Sequence, residues 1–230
     1  MNNRPHVIVN VAMTVDGKLD TFERKGATIS SVADKQRVDE LRASVDAILV
    51  GGKTLLSEDP SLTIKSKDLR SQRLARGLEE NPVKVAVVSQ ANLDLKGNFI
   101  SSGPARSLIY TTRKTTPEQV HLLEKAGAQV FVRCDESIDL RDVLQSLFDQ
   151  GIRSLMVEGG GSLIAGFFNL NLVDELTAYI APIIFSGANA PTLADGPGFS
   201  ILSARRLHLE SVSKFDNEGG ILVHYLNQSV

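Results

Sequence analysis

An apolar run, Leu155-Met156-Val157, ends abruptly in Glu158, three consecutive glycines at 159–161 and Ser162. It reads as a strand delivering its carboxyl end onto a helix that the serine caps. Glycines without Cβ atoms let a phosphate or a cofactor ring approach the backbone closely, and the unpaired N–H groups of a helix start favour an anion. Glu158 then stands where a substrate would meet that anion, its carboxylate suited to accept from an amino group or a hydroxyl. The same residues also suit a tight packing turn in which Glu158 bonds nearby amides.

Three further segments combine loop residues with chemical groups: residues 11–18, residues 51–63 and residues 181–187. Each follows an apolar run, and in parallel α/β sheets ligands collect beyond the carboxyl ends of the strands. Gly51-Gly52-Lys53-Thr54 is not a Walker loop, because position 47, where the first glycine of that motif belongs, is Ala. No G-x-G-x-x-G turn follows the first strand, so a standard Rossmann domain is disfavoured; Asp16-Gly17 there is a hairpin-like turn signal. Asp16 serves such a turn, or orders a ligand loop as well.

The elements that must position these groups can be read from apolar, β-branched runs at residues 6–12, 46–50, 83–88, 107–110, 128–132, 154–157, 175–181, 206–214 and 221–226. With helical segments between them, they predict an α/β fold: a mainly parallel sheet flanked by helices, with an antiparallel C-terminal edge. Ser31-Val32-Ala33-Asp34 resembles a capping box, and Val38, Leu41 and Val45 form an apolar stripe that leaves Arg42 to one side. Pro117 opens a helix after Thr116, and Leu140, Leu144 and Leu147 mark the helix before the glycine turn. Residues 65–81, polar and without clean periodicity, read as a surface excursion or weak helix. No stretch has the composition of an interdomain linker, so residues 1–230 are expected to form a single domain.

With 42% hydrophobic and 23% charged residues and a formal net charge of −2, the 230-residue chain is an ordinary globular protein without a generic nucleic-acid or membrane surface. One cysteine, Cys134, excludes an internal disulfide, and four scattered histidines give no metal-site spacing. The N-terminal residues contain no signal-peptide or membrane-spanning run, so a cytoplasmic protein is expected.

Taken together, these segments resemble the riboflavin-biosynthesis reductases, a family with a dihydrofolate-reductase-like fold, over nearly the whole chain from about residue 5 to residue 226. The resemblance rests on Met13-Thr14-Val15-Asp16-Gly17-Lys18, Arg42 with Asp46-Ala47-Ile48, residues 51–63, Asn81-Pro82-Val83, Val157-Glu158-Gly159-Gly160-Gly161, and Val173-Asp174-Glu175 leading to Ala181-Pro182. Position 10 is Asn, as in the archaeal and fungal stand-alone reductases, whereas bacterial enzymes fused to a deaminase usually carry Lys there. The resemblance therefore implies reduction before deamination, on 2,5-diamino-6-ribosylamino-4(3H)-pyrimidinone 5′-phosphate. Its alternatives are the deaminated pyrimidinedione intermediate or another pterin-like heterocycle such as dihydrofolate.

By family position, Ala12, Thr54, Glu58, Ser89, Gly159, Gly160, Gly161 and Ser162 would line a site for NADPH, with NADH open as a second coenzyme. Asn10, Gly26, Arg42, Leu62, Lys65 and Glu158 fall on the substrate side, a small phosphoribosyl pyrimidine. Arg42 and Lys65 supply cations suited to its 5′-phosphate. The implied reaction passes a hydride to C1′ of a ring-opened imine, so the chain needs chiefly to hold two reactants in contact and exclude water. Glu158 and Asp16 are the candidate catalytic proton handlers. The family also implies a homodimer, for which the apolar residues 176–185 offer a contact.

Overall fold

A computed structural model describes residues 3–133 and 136–227. The chain begins with β1 (His6–Thr14), α1 (Val32–Ser44), β2 (Ala47–Gly51), α2 (Gly52–Glu58) and α3 (Lys67–Ala75). It continues through β3 (Val83–Val88), α4 (Asn98–Ser101), β4 (Ser107–Thr111), α5 (Pro117–Lys125) and β5 (Gln129–Val132). The last elements are α6 (Leu140–Asp149), β6 (Ser154–Gly159), α7 (Gly161–Asn169), β7 (Glu175–Ala181), β8 (Leu207–Lys214) and β9 (Ile221–Asn227). These elements form two compact units, one built mainly from residues 37–156 and the other from residues 6–36 and the chain from residue 157 onward.

In the first unit β2, β3, β4 and β5 pair side by side in parallel. All five residues of β2 and all five of β4 are buried, which is why both read as continuous apolar runs rather than alternating ones. The crossover helices start where the chain offers caps: Thr116 accepts from the Gln119 N–H ahead of Pro117, and Asp139 accepts from the Arg141 N–H. Leu140, Val143, Leu144 and Leu147 form the buried face of α6. Asp46 binds the amides of Arg153 and Ser154, at 2.8 and 2.9 Å, and so fixes the starts of β2 and β6 together.

In the second unit β1 pairs in parallel with β7, from Ile8 opposite Glu175 to Thr14 opposite Ala181, and β7 pairs antiparallel with β9. β9 in turn carries β8 along its other side, with a bulge at Leu209/Ser211. The apolar face of α7 buries Ile164, Phe167 and Phe168. β8 is exposed along nearly its whole length, as its mixture of charged and apolar residues predicts for a final strand.

One open reading from the sequence is resolved and two expectations need correction. Of the two readings of residues 65–81, the helix is the one observed: α3, capped by Ser66, whose Arg73 is buried with its guanidinium donating to the carbonyls of Ala43, Val45 and Glu79. On α1, Val38 and Leu41 are only half-buried, while Asp34 and Asp39 are inside; Val45, which is buried, lies just beyond the helix end at Ser44. The capping part of that reading agrees with the structure, since Ser31 Oγ accepts from the Asp34 N–H. Finally, Leu176, Ala178, Tyr179 and Ala181 are buried, in a strand flanked by β1 and β9. Of the stretch offered as a subunit contact, Ile183 and Ile184 are the large apolar residues left exposed.

Candidate functional site

The candidate residues fall into a set in each unit. In the first, residues 61–66 belong to no helix or strand, so their backbone groups need side chains to satisfy them. Arg42 donates to the Thr63 carbonyl at 3.0 Å and Asn81 Oδ1 accepts from the Ile64 N–H at 2.9 Å. Arg70 donates to the carbonyls of Ile64 and Lys65, at 2.7 and 3.1 Å, while paired with Glu80. Asp39 accepts from the amides of Lys65 and Ser66, both at 2.7 Å.

On this strapped segment the Lys65 ammonium is exposed and donates to the hydroxyls of Ser61 at 2.7 Å and Thr63 at 3.2 Å. Arg42, Lys65 and two hydroxyls thus gather in one neighbourhood, the chemistry a phosphate monoester requires. Leu62 belongs to the same segment, but its side chain is fully buried and its φ is +48°. Leu62 therefore packs into the interior and supports the segment rather than meeting a ligand, in a left-handed conformation that costs a β-carbon residue about 1–2 kcal/mol.

Thr54 and Glu58 lie on α2, whose seven residues begin after Gly51 without a side-chain cap. A Cβ on Gly52 would come within 2.9 Å of the Val88 side chain, so this glycine permits close packing of the helix start on β3. Asp59, at φ +43°, ends α2 and spends both carboxylate oxygens on the Asn98 and Phe99 amides that open α4. At the end of β3 the Ser89 side chain is exposed while its carbonyl accepts from the Thr111 and Thr112 hydroxyls, the latter at 2.6 Å. Thr115, hydrogen-bonded to Thr111, accepts from the Ala91 N–H, so buried threonines hold the loop that presents Ser89.

In the second unit the glycine turn follows β6. The cap of α7 is Gly160 and makes no side-chain hydrogen bond; Ser162 is not the cap but the second helical residue, exposed. The three glycines differ. A Cβ on Gly161 would overlap the Thr192 carbonyl oxygen, so the space is filled by the chain itself, and the Asp195 N–H donates to the Gly161 carbonyl at 3.1 Å. Gly159, at φ +121° and buried, would place a Cβ near nothing but the tip of Ile164, at 3.9 Å, so the space beside it is not filled by the chain. Glu158 precedes it, half-buried, at the end of β6.

Asp16 is committed to loop structure: it accepts from the Thr14 hydroxyl at 2.6 Å and from the Ser186 and Phe185 amides at 2.8 and 3.3 Å. The Thr14 bond foremost, with those amides, holds its carboxyl below the usual range. An ionised carboxylate tying two loops together has no proton to give, which leaves Glu158 as the stronger of the two proton-handling candidates. Gly26, at φ +77°, donates its N–H to Asp20 at 2.8 Å, so its carbonyl is what it offers a ligand. Asp20 also accepts from the Thr21 and Ala27 amides. Burial raises its carboxyl, but the Ala27, Gly26 and Thr21 bonds outweigh this and the net shift is downward.

Asn10 and Ala12 lie on β1 opposite Thr177 and Tyr179 of β7. Asn10 is buried and its Oδ1 has no hydrogen-bond partner among the described residues, an orphaned acceptor that a ligand donor would satisfy.

Sequence reasoning missed the residues that hold the others: Asp39, Arg70, Asp20 and the Thr111–Thr112–Thr115 group. One signal was available for Asp39, which precedes Arg42 by three positions and so shares its face of α1.

Comparison with known proteins places the chain in a family. Residues 5–219 match the model of the RibD C-terminal domain, a span that contains every candidate residue named above. An Archaeoglobus fulgidus protein named 2,5-diamino-6-ribosylamino-4(3H)-pyrimidinone 5′-phosphate reductase is 42% identical over 85% of this chain and 89% of its own. Proteins of the same name from Aquifex aeolicus and Methanothermobacter thermautotrophicus are 37% and 39% identical, each covered over 92% of its length. The crystal structure of a pyrimidine reductase-like protein from Corynebacterium diphtheriae superposes with a TM-score of 0.85 at 22% identity, over 99% of this chain and 94% of that one. With a match of this extent and full-length relatives at this identity, the chain belongs to the RibD C-terminal domain family.

Proposed function

We propose that the protein is an NADPH-dependent reductase of 2,5-diamino-6-ribosylamino-4(3H)-pyrimidinone 5′-phosphate, converting its ribose to a ribityl chain in riboflavin biosynthesis. The observation that carries this is the 42% identity, over 89% of its length, to a protein bearing that reductase name. All 230 residues act as one reductase domain, as the family model's span across both compact units supports. The protein works in the cytoplasm, and no described helix is long and apolar enough to cross a membrane.

The residues fit a dinucleotide. The uncapped start of α7, the exposed Ser162 hydroxyl and the unfilled space beside Gly159 suit a pyrophosphate. Ser89 faces solvent on a loop held by threonines and suits the adenosine ribose or its 2′-phosphate; Ala12, Thr54 and Glu58 complete the set. When bound, NADPH supplies the hydride. The chain's own part is to grip the substrate phosphate with Arg42 and Lys65, to accept from its polar hydrogens with Asn10, the Gly26 carbonyl and Glu158, and to hold the acceptor carbon against the hydride donor. Glu158 moves the proton that accompanies reduction, directly or through water.

Following NADPH absorbance with the diamino substrate and its deaminated counterpart supplied separately tests the reading. Oxidation with the diamino compound alone is expected. Oxidation with the deaminated compound alone would keep the reductase but reverse the order of steps, and no oxidation with either would overturn the reading.

A further inference from the structure

We propose that Asp39 is a positioning residue for the phosphate end of the substrate, setting where the Lys65 ammonium stands relative to Arg42; this rests on the function proposed above. Asp39 is 7% exposed and uses each carboxylate oxygen on one of two consecutive amides, those of Lys65 and Ser66. Three residues further along α1, Arg42 holds the Thr63 carbonyl. The helix therefore grips this segment on both sides of Ile64, with a carboxylate towards two donors and a guanidinium towards an acceptor.

Two consequences follow from this grip. The Lys65 backbone cannot rotate without breaking a bond to a buried charge, which would leave that carboxylate underpaired. Its side chain, reaching back to Ser61 and Thr63, therefore starts from a Cα tied by Asp39 to α1, the helix that carries Arg42. A clamp of two cations on one phosphate depends on their spacing, and a displacement of about 1 Å is enough to lower the efficiency of such a site by one to two orders of magnitude. An asparagine cannot replace Asp39, because its amide group would point a donor at one of the two N–H groups.

The full-length Asp39→Asn and Asp39→Ser proteins are compared with wild type for substrate KM and kcat, NADPH affinity by fluorescence, and competitive inhibition by ribose 5-phosphate. The expected result is a KM raised about tenfold, with ribose 5-phosphate inhibition weakened by a similar factor. Both kcat and NADPH affinity should stay within about twofold. Lys65→Met should cost as much as Asp39→Asn, and the double variant should add little, because both changes remove one device. Unchanged KM, losses that multiply in the double variant, or NADPH affinity falling in parallel with KM would overturn the proposal. Failure of both Asp39 variants to yield folded protein would also overturn it, making Asp39 a determinant of folding instead. A wild-type protein that oxidises no NADPH, by contrast, would defeat the reductase reading itself.

Discussion

Gly161 and Ser162 are neighbours whose mutational signatures separate structure from binding. A Cβ at Gly161 would overlap the Thr192 carbonyl oxygen and stand 3.0 Å from the Asp195 carboxylate, neither of which is the tip of a long flexible side chain. Gly161→Ala is therefore expected to destabilise the fold by about 1–3 kcal/mol, read as a lower Tm and a lower denaturant midpoint. Ser162 is exposed, and Ser162→Ala should leave stability within about 0.5 kcal/mol while weakening NADPH binding about fivefold, the worth of one hydrogen bond. Equal NADPH affinity in wild type and Ser162→Ala would remove that hydroxyl from the coenzyme site. From sequence, both residues looked like parts of one anion cradle, since a missing Cβ leaves the same letter whether the space admits a ligand or the protein's own backbone.

Among the elements, α4 shows how a buried charge can hold a short helix. Lys84, on the interior strand β3, is fully buried and donates to the carbonyls of Phe99 and Ser102 at 2.8 and 2.6 Å, while Asp59 binds the amides at the other end. Four residues cannot sustain a helix alone, and an anion at the amino end with a cation at the carboxyl end complements its dipole. Burial foremost, with the nearby Lys65 charge, pushes the Lys84 ammonium down to about 8. The folded chain therefore gives up this proton near pH 8, whereas the unfolded chain keeps it until about 10.4. Between those values the unfolded state binds more protons, so this group makes stability rise with pH in that window and contributes a constant amount above and below it. Denaturant unfolding at intervals from pH 7 to pH 10 should show a component of positive slope in wild type that Lys84→Met lacks. Identical slopes in the two proteins would mean that Lys84 keeps an ordinary pKa. A lone Lys in Val-Lys-Val-Ala-Val-Val gave no hint of this role, because burial of its amine depends on carbonyls 15 and 18 residues away.

For the molecule as a whole, the exposed apolar side chains of the second unit offer a test of the homodimer that the family resemblance implies. Ile201 and Leu202 are 84% and 96% exposed, and Val212 of β8 is 58% exposed. Ile201→Glu together with Leu202→Glu is expected to convert a dimer in sedimentation velocity into a monomer that retains its Tm to within a few degrees. A variant that sediments as wild type would exclude this loop from the contact.

The sequence by itself determined the strand order, the α/β class and the family, because apolar periodicity and caps are local and the motifs lie in a fixed order along the chain. It also supplied the residue types of the site: cations for a phosphate, glycines at a helix start, a carboxylate beside them. Tertiary structure alone decided which backbone groups those residues must satisfy. It committed Asp16 to two loops, turned the Leu62 side chain inward, filled the Gly161 space with Thr192, and put Asp39 rather than an apolar stripe to work on α1. The reason is that a segment outside any helix or strand, such as residues 61–66, draws its hydrogen bonds from side chains distant in sequence, and no periodicity records that demand.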